Sequence, residues 1–281
     1  MKSTPSFHRL SLAALSCGAI LGVIALQPAF GSSLTLDFTS ATPGTVEDSA
    51  SVGTGFTTRL SGTDSDSPDS RLTLNTGGTG TLSITGSSLG ADFNGQTNVG
   101  LIEAPGIDLA SLGFTGTQDF SLTATFTNVP SAAFQNYSQL GVYVGTASNN
   151  LTRDGFVYAS GAGGANYFTN VNTGGDASNV VAESFSAGDN LTVSISRTAG
   201  VFTETINGDT IATPSDPQLL FTGDTDLTVG VFSGNTTTGD SFTSTLDSFS
   251  VNVAPEPGTW AMLLGGLAML VAVQRLRARR A

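Results

Sequence analysis

Residues 32–254 contain no Lys, His, Cys, Met or Trp, and that absence removes most common catalytic devices at once. A Ser-His-Asp or Cys-His arrangement needs an imidazole or a thiol. A zinc centre draws on His or Cys, and a Schiff base needs a lysine amine. The chemistry left to this stretch belongs to carboxylates, tyrosines and four arginines. Two carboxylates flanking a glycosidic bond can hydrolyse it. The glutamates here are Glu47, Glu103, Glu183 and Glu204, however, and none begins a Glu-x-Asp-x-x-Glu run or its one-residue variant. Clustered carboxylates also suit calcium, and Asp64, Asp66 and Asp69 form the densest acidic loop, followed by Asp224 and Asp226. Neither loop has the glycine and terminal glutamate of a helix-loop-helix calcium site, so the alternative is a solvated turn.

The four tyrosines, Tyr137, Tyr143, Tyr158 and Tyr167, all fall in one short stretch beside Asn136, Arg153, Asp154 and Asn166. A sugar ring presents a C–H face and hydroxyls, so aromatic rings beside hydrogen-bonding groups are candidate carbohydrate-binding residues. Tyr143 and Tyr158 lie on expected strands, where pleating decides between a surface platform and a filled interior.

Charge narrows the partners. Of the 22 acidic residues only Glu256 lies outside 32–254, while Arg59, Arg71, Arg153 and Arg197 are the only cations inside, a net charge of −17. Such a surface is repelled by phosphates, which excludes nucleic acid. With no cysteine there is no disulfide, so stability rests on a core, which about 220 residues can bury.

The two ends fix the compartment. Residues 1–31 begin with Lys2 and Arg9, continue through an apolar stretch, and finish with Ala29 and Gly31 at small-x-small spacing. This is the layout of a secretory signal peptide, with the cut expected between Gly31 and Ser32. An uncleaved anchor, or a lipoprotein processed at Cys17, are the competing readings; the polar residues after 31 and the poor lipobox before Cys17 stand against them. At the other end Pro255, Glu256 and Pro257 precede an apolar run over 260–273, and Arg275, Arg277, Arg279 and Arg280 close the chain. A 14-residue apolar helix rises about 21 Å against a hydrocarbon core of roughly 30 Å, so it spans marginally, helped by snorkelling arginines. Those arginines favour the cytoplasmic side, which puts 32–254 outside.

The order of Pro255-Glu256-Pro257, a short apolar helix containing Trp260, Gly265 and Gly266, and terminal arginines resembles the PEP-CTERM sorting signal. The resemblance covers residues 255–281. It implies a Gram-negative bacterium that makes extracellular polysaccharide, and recognition by an exosortase, a membrane-embedded cysteine transpeptidase that cuts near the motif. An ordinary tail anchor is the competing reading. Export would then involve the Sec machinery and signal peptidase, transient residence in the inner membrane, and a final place at the cell surface or in the matrix.

Between the ends the pattern is β. Apolar alternation recurs over 34–38, 71–75, 81–85, 120–127, 140–144, 155–159, 191–196, 201–206, 227–232 and 242–253. Leu191, Val193 and Ile195 share one face, as do Phe249, Val251 and Val253. Asn207-Gly208 between two short runs predicts a hairpin. No three-turn amphipathic helix and no fixed-period repeat interrupts them, and a softer seam falls at 89–108. Strands at this density predict one all-β sandwich over 32–254. The strand order from 119 to 253 is similar to the later half of concanavalin-A-like and laminin-G-like jelly rolls. The matching pieces are 120–126, 141–145, the Asn207-Gly208 hairpin, 229–233 and 246–251. That resemblance implies that the closing strand returns beside the first, making 34–38 and 249–253 neighbours.

The resulting expectation is a concanavalin-A-like jelly-roll sandwich followed by one short C-terminal transmembrane helix over 260–273. Its function is that of a non-catalytic, exosortase-processed surface or matrix protein that binds exopolysaccharide. The alternatives are a glycoside hydrolase of the same fold or a calcium-stabilised structural or adhesive protein; otherwise no cofactor is expected.

Overall fold

The structure, a computed structural model, describes residues 31–39, 46–60, 71–75, 80–87, 103–129, 138–147, 150–159, 164–172, 176–182, 188–211, 221, 223–234, 241–255 and 257–279. Two sheets face each other. In the first, β1 (Ser32–Leu36), β3 (Leu72–Asn75), β4 (Thr81–Ser87), β6 (Phe120–Val129), β11 (Asp189–Thr198), β12 (Val201–Ile206), β13 (Asp209–Ile211) and β15 (Ser241–Val253) lie in the order β13-β12-β11-β6-β15-β4-β3, with β1 also on β15. In the second, β2 (Thr58–Arg59), β5 (Pro105–Asp108), β7 (Ser138–Ala147), β8 (Asn150–Ala159), β9 (Gly164–Asn172), β10 (Asp176–Ala182) and β14 (Thr228–Gly234) run β10-β9-β8-β7-β14-β5-β2. The chain passes repeatedly from one sheet to the other, as in a jelly-roll sandwich.

Alternation explains the layering. On β11, Leu191, Val193 and Ile195 are fully buried, and Thr192, Ser194 and Ser196 point outward. Leu122, Ala124 and Phe126 of β6 and Val142, Val144, Val229 and Val231 of the second sheet complete the same core. On β15 the phase changes. Ser244 and Leu246 point inward, then Phe249, Val251 and Val253 do, because the register on β6 slips between Leu246 and Ser248. The extra residue is Asp247, which is exposed, a β-bulge that lets one long strand keep its apolar residues inside on both sides of the slip. Aromatic contacts fill the interior, with Phe56 5.1 Å from Phe249 and Phe120 edge-on to Phe114 at 5.6 Å.

The closing strand returns beside the first, as expected: Leu34 pairs with Val251 and Leu36 with Phe249. One edge of β15 carries β6, and the other carries β4 and then β1. The Asn207-Gly208 hairpin is also present, with φ of 52° and 91°, the left-handed pair that a tight primed turn requires. The expected seam at 89–108 is corrected in its last part, where Pro105–Asp108 form β5, paired with β14 and β2. A 3₁₀ turn over Leu109–Leu112, capped by the Asp108 carboxylate, follows β5.

Beyond the sandwich, helix α1 (Pro257–Ala278) holds the C-terminal apolar run. Its large apolar residues, including Met262, Leu264, Leu267 and Met269, are exposed. The transmembrane expectation needs correction: among the described residues no helix is long and apolar enough to cross a membrane, in keeping with the short rise of 260–273.

Packing separates two glycines. A Cβ at Gly230 would lie 2.1 Å from the Pro105 carbonyl oxygen, whereas one at Gly208 meets nothing within 4 Å. Gly208→Ala should cost about 1 kcal/mol from its positive φ, and Gly230→Ala about 3 kcal/mol or more from overpacking. Urea unfolding of both variants checks this, and an equal loss would contradict the packing described.

Candidate functional site

The first and last residues of the sandwich meet at one pole. Ser32 pairs with Val253, and the Ala254 amide donates to the Asp119 carbonyl at 2.8 Å. Gly31 fits there only because it lacks a side chain. A Cβ on it would stand 2.3 Å from the Val253 carbonyl oxygen and 3.1 Å from Pro255 Cδ. A cleft of about 400 Å³ opens at this pole, lined among others by Ser33, Asp119, Arg197, Asn252 and Pro255. Two charges in it are committed to the fold. Asp119 Oδ1 accepts from the Ala199 amide at 2.8 Å, holding the turn between β11 and β12. Arg197 is 9% exposed and donates from Nη1 to the Gly116 carbonyl at 3.0 Å. Its buried Nε has no hydrogen-bond partner among the described residues.

From this pole the outer face of the first sheet extends as rows of hydroxyls. Ser33, Asn252, Ser121 and Ser196 are successive register partners, and so are Thr35, Ser250, Thr123, Ser194 and Thr205. Neighbouring hydroxyls approach one another, Thr85 and Thr243 at 3.0 Å and Thr125 and Thr192 at 3.4 Å. β-branched threonine suits a half-exposed strand, and each hydroxyl can both donate and accept. These rows are uncharged in a strongly acidic domain and present closely spaced hydrogen-bonding groups.

Two of the tyrosines nominated for sugar binding, Tyr143 and Tyr167, lie inside the fold. Tyr143 is fully buried and its hydroxyl donates to the Ala104 carbonyl at 3.0 Å. Gly106 and Gly230 make its berth, since a Cβ on either would come within 2.3 and 2.9 Å of that hydroxyl. Tyr167 is 6% exposed, and its hydroxyl accepts from Asn207 Nδ2 at 3.1 Å, joining β9 to the hairpin of the other sheet. A ring closed off from solvent cannot stack on a sugar, so these two are corrected from platform to interior. Tyr158 is placed by its backbone in β8, opposite Ser138 and Ala165, and Tyr137 lies outside the described residues.

Among the described residues the nominated glutamates are dispersed. Glu103 is fully buried, with Arg59 Nε 3.9 Å from its Oε1. Glu204 is fully buried on β12 and accepts at Oε1 from Thr152 of β8 at 2.9 Å. Glu47 sits exposed in an isolated bridge to Gly53, and Glu183 lies outside the described residues. The acidic loop of Asp64, Asp66 and Asp69 lies outside them too. Among the described residues no three His, Cys, Asp or Glu side chains group as metal ligands. Sequence reasoning did not single out the inward carboxylates, although Glu204 had a readable signal, since it alternates in phase with Phe202 and Ile206. Of the tail residues, Pro255 lines the cleft and Pro257 is the first residue of α1. Trp260 lies within that helix, where Gly265, Gly266, Arg275 and Arg277 are exposed. Arg279 follows its end, while Glu256 and Arg280 fall outside the described residues.

No protein-family model matches the chain, and no curated protein matches it. Solved structures do. A variant of the GH43 protein BlXynB from Bacillus licheniformis superposes with a TM-score of 0.51 at 16% identity, over 78% of this chain and 39% of that one. Winged bean acidic lectin, complexed with methyl-α-D-galactose, gives 0.45 at 10% identity over 80% and 98%. Alginate lyase A1-II′, of polysaccharide lyase family 7, gives 0.43 at 16% over 80% and 96%. The likeness to the GH43 protein is one of fold, and this chain spans well under half of that protein's length.

Burial, and after it the negative charge of Glu103, hold the Tyr143 phenol well above its ordinary value of 10.0. The folded chain keeps this proton where the unfolded chain releases it. The stabilisation is therefore whole below about pH 10 and is lost as pH rises from there through the raised value. Tyr143→Phe should lower stability at neutral pH by about 1 kcal/mol and make the alkaline loss shallower. Urea unfolding at stepped pH reads both, and an unchanged alkaline slope would place the phenol in solvent.

Proposed function

We propose that the chain is a non-catalytic protein of the bacterial cell surface or extracellular matrix, exported with a removable leader, cut by an exosortase at its C-terminal motif, and engaging polysaccharide through its sandwich. The observation that carries the reading is the shared pole. The segment that resembles a leader and the segment that resembles a sorting tail join the sandwich side by side, at Ser32 and Val253, so a single end of the domain meets the membrane. Helix α1 supports it, because a helix that exposes apolar residues all round is stable only in an apolar surrounding. With about 21 Å of apolar rise, segment 260–273 lodges in the inner membrane to limited depth, with the arginines at its surface. Processing then frees the sandwich outside.

The absence of His, Cys, Lys, Met and Trp from 32–254 and the burial of Glu103 and Glu204 favour binding over catalysis. With Tyr143 and Tyr167 inside, the surface offered to a polysaccharide is the hydroxyl face of β6, β11 and β15. Hydroxyl-to-hydroxyl bonding without charge fits a neutral or weakly charged glycan better than an anionic one, which a domain at −17 repels.

Two measurements test this. Glu256→Ala should leave the sandwich folded and the tail uncut, read as retained full-length mass in the membrane fraction; a processed mass identical to wild type would contradict it. The exported protein should be retained on the host's own exopolysaccharide, and Thr123→Asp with Thr205→Asp should cut that retention by about tenfold, the loss of one to two net hydrogen bonds. Equal retention of the variant would move the binding surface elsewhere.

A further inference from the structure

The pole joins two processing points that the proposed function treats separately. The Gly31–Ser32 bond, where the leader is expected to be cut, enters the ladder between β1 and β15, since Ser32 is already paired with Val253. A peptidase must take its substrate in extended form into its own site, so this bond is withheld once β1 docks. Because β15 is the last strand synthesised, there is an interval in which β1 is free and the leader can be removed. Hydrolysis adds water across the bond, leaving the Gly31 carboxylate on the leader and a Ser32 ammonium on the domain.

Gly31 then departs, and with it a contact that exists only in the uncut chain. In that chain the position of a Gly31 Cβ lies 2.3 Å from the Val253 carbonyl oxygen, 3.3 Å from Ala254 Cα and 3.1 Å from Pro255 Cδ. Backbone thus lies flush against the residue that opens the sorting motif. Pro255 is further restrained from the other side, because the Ala254 amide is bonded to the Asp119 carbonyl. For the tail to be cut, the transpeptidase must draw the motif out, take the acyl group of the residue before the cut onto its thiolate, and release the helix as the amine.

We propose that leader removal gates the tail cut: while the Gly31–Ser32 bond is intact, the leader junction seated on Val253 and Pro255 keeps the motif from the transpeptidase. This rests on the export reading above. The order is then fixed as leader first and tail second, and a chain that folds with its leader attached is held at both ends.

The test follows the intact mass of the full chain in its host, which reports each end separately. Wild type should lose both ends. Ala29→Leu, which puts a bulky side chain where the signal peptidase needs a small one, should keep the leader and lower tail cutting by about tenfold, as expected if only a small fraction of the chains has an unseated junction. Adding Gly31→Val, whose side chain cannot occupy the seat, should restore tail cutting although the leader remains. Tail cutting at the wild-type rate in Ala29→Leu, or failure of Gly31→Val to restore it, would overturn the gate. A wild-type chain uncut at both ends would instead overturn the export reading on which the gate stands.

Discussion

The pairing of β1 with β15 is the constraint on which the arrangement depends. Ser32 to Leu36 lie in register on Val253 to Phe249, so the first and last strands of the sandwich are hydrogen-bonded neighbours. Closing the fold therefore awaits β15. β15 bonds to β4, β6 and β1 together, and its bulge at Asp247 keeps both of its halves facing the core. Contacts of such sequence separation make folding slow. The same closure places both ends at one pole and gives the cleft its walls.

Polar groups inside the sandwich join the two sheets where apolar packing alone would not fix their registration. Glu204 reaches Thr152 across the core, and Asn207 reaches Tyr167. Arg59 lies beside Glu103 in the second sheet. Removing one partner of such a pair leaves a buried group unsatisfied, which costs more than the pair contributes. These interior carboxylates are accordingly part of the framework.

Much of this was legible in the amino-acid order. Period-two alternation located β11 and β15 and their inner residues, Asn207-Gly208 marked its turn, and the return of 249–253 beside 34–38 followed from the likeness to jelly rolls. What escaped had physical reasons. β5 contains Pro105 and Gly106, weak strand formers placed by their partners β2 and β14. β9 carries Asn166, Asn170 and Asn172 and β10 carries Asp176 and Asn179, weak strand formers, and their pairing is decided by neighbours instead of by their own composition. The fate of Tyr143 was hidden because alternation separates two faces without saying that both are buried. Its berth depends on Gly106 and Gly230, which lie far from it in sequence.

The central claim, that a closed sandwich is delivered outside the inner membrane with both ends trimmed at one pole, is tested most directly by sequencing the two termini of the protein recovered from the surface and extracellular fractions. The account predicts a chain beginning at or within a few residues of Ser32 and ending close to Pro255. Recovery of the untrimmed polypeptide from the cytosol alone would contradict it.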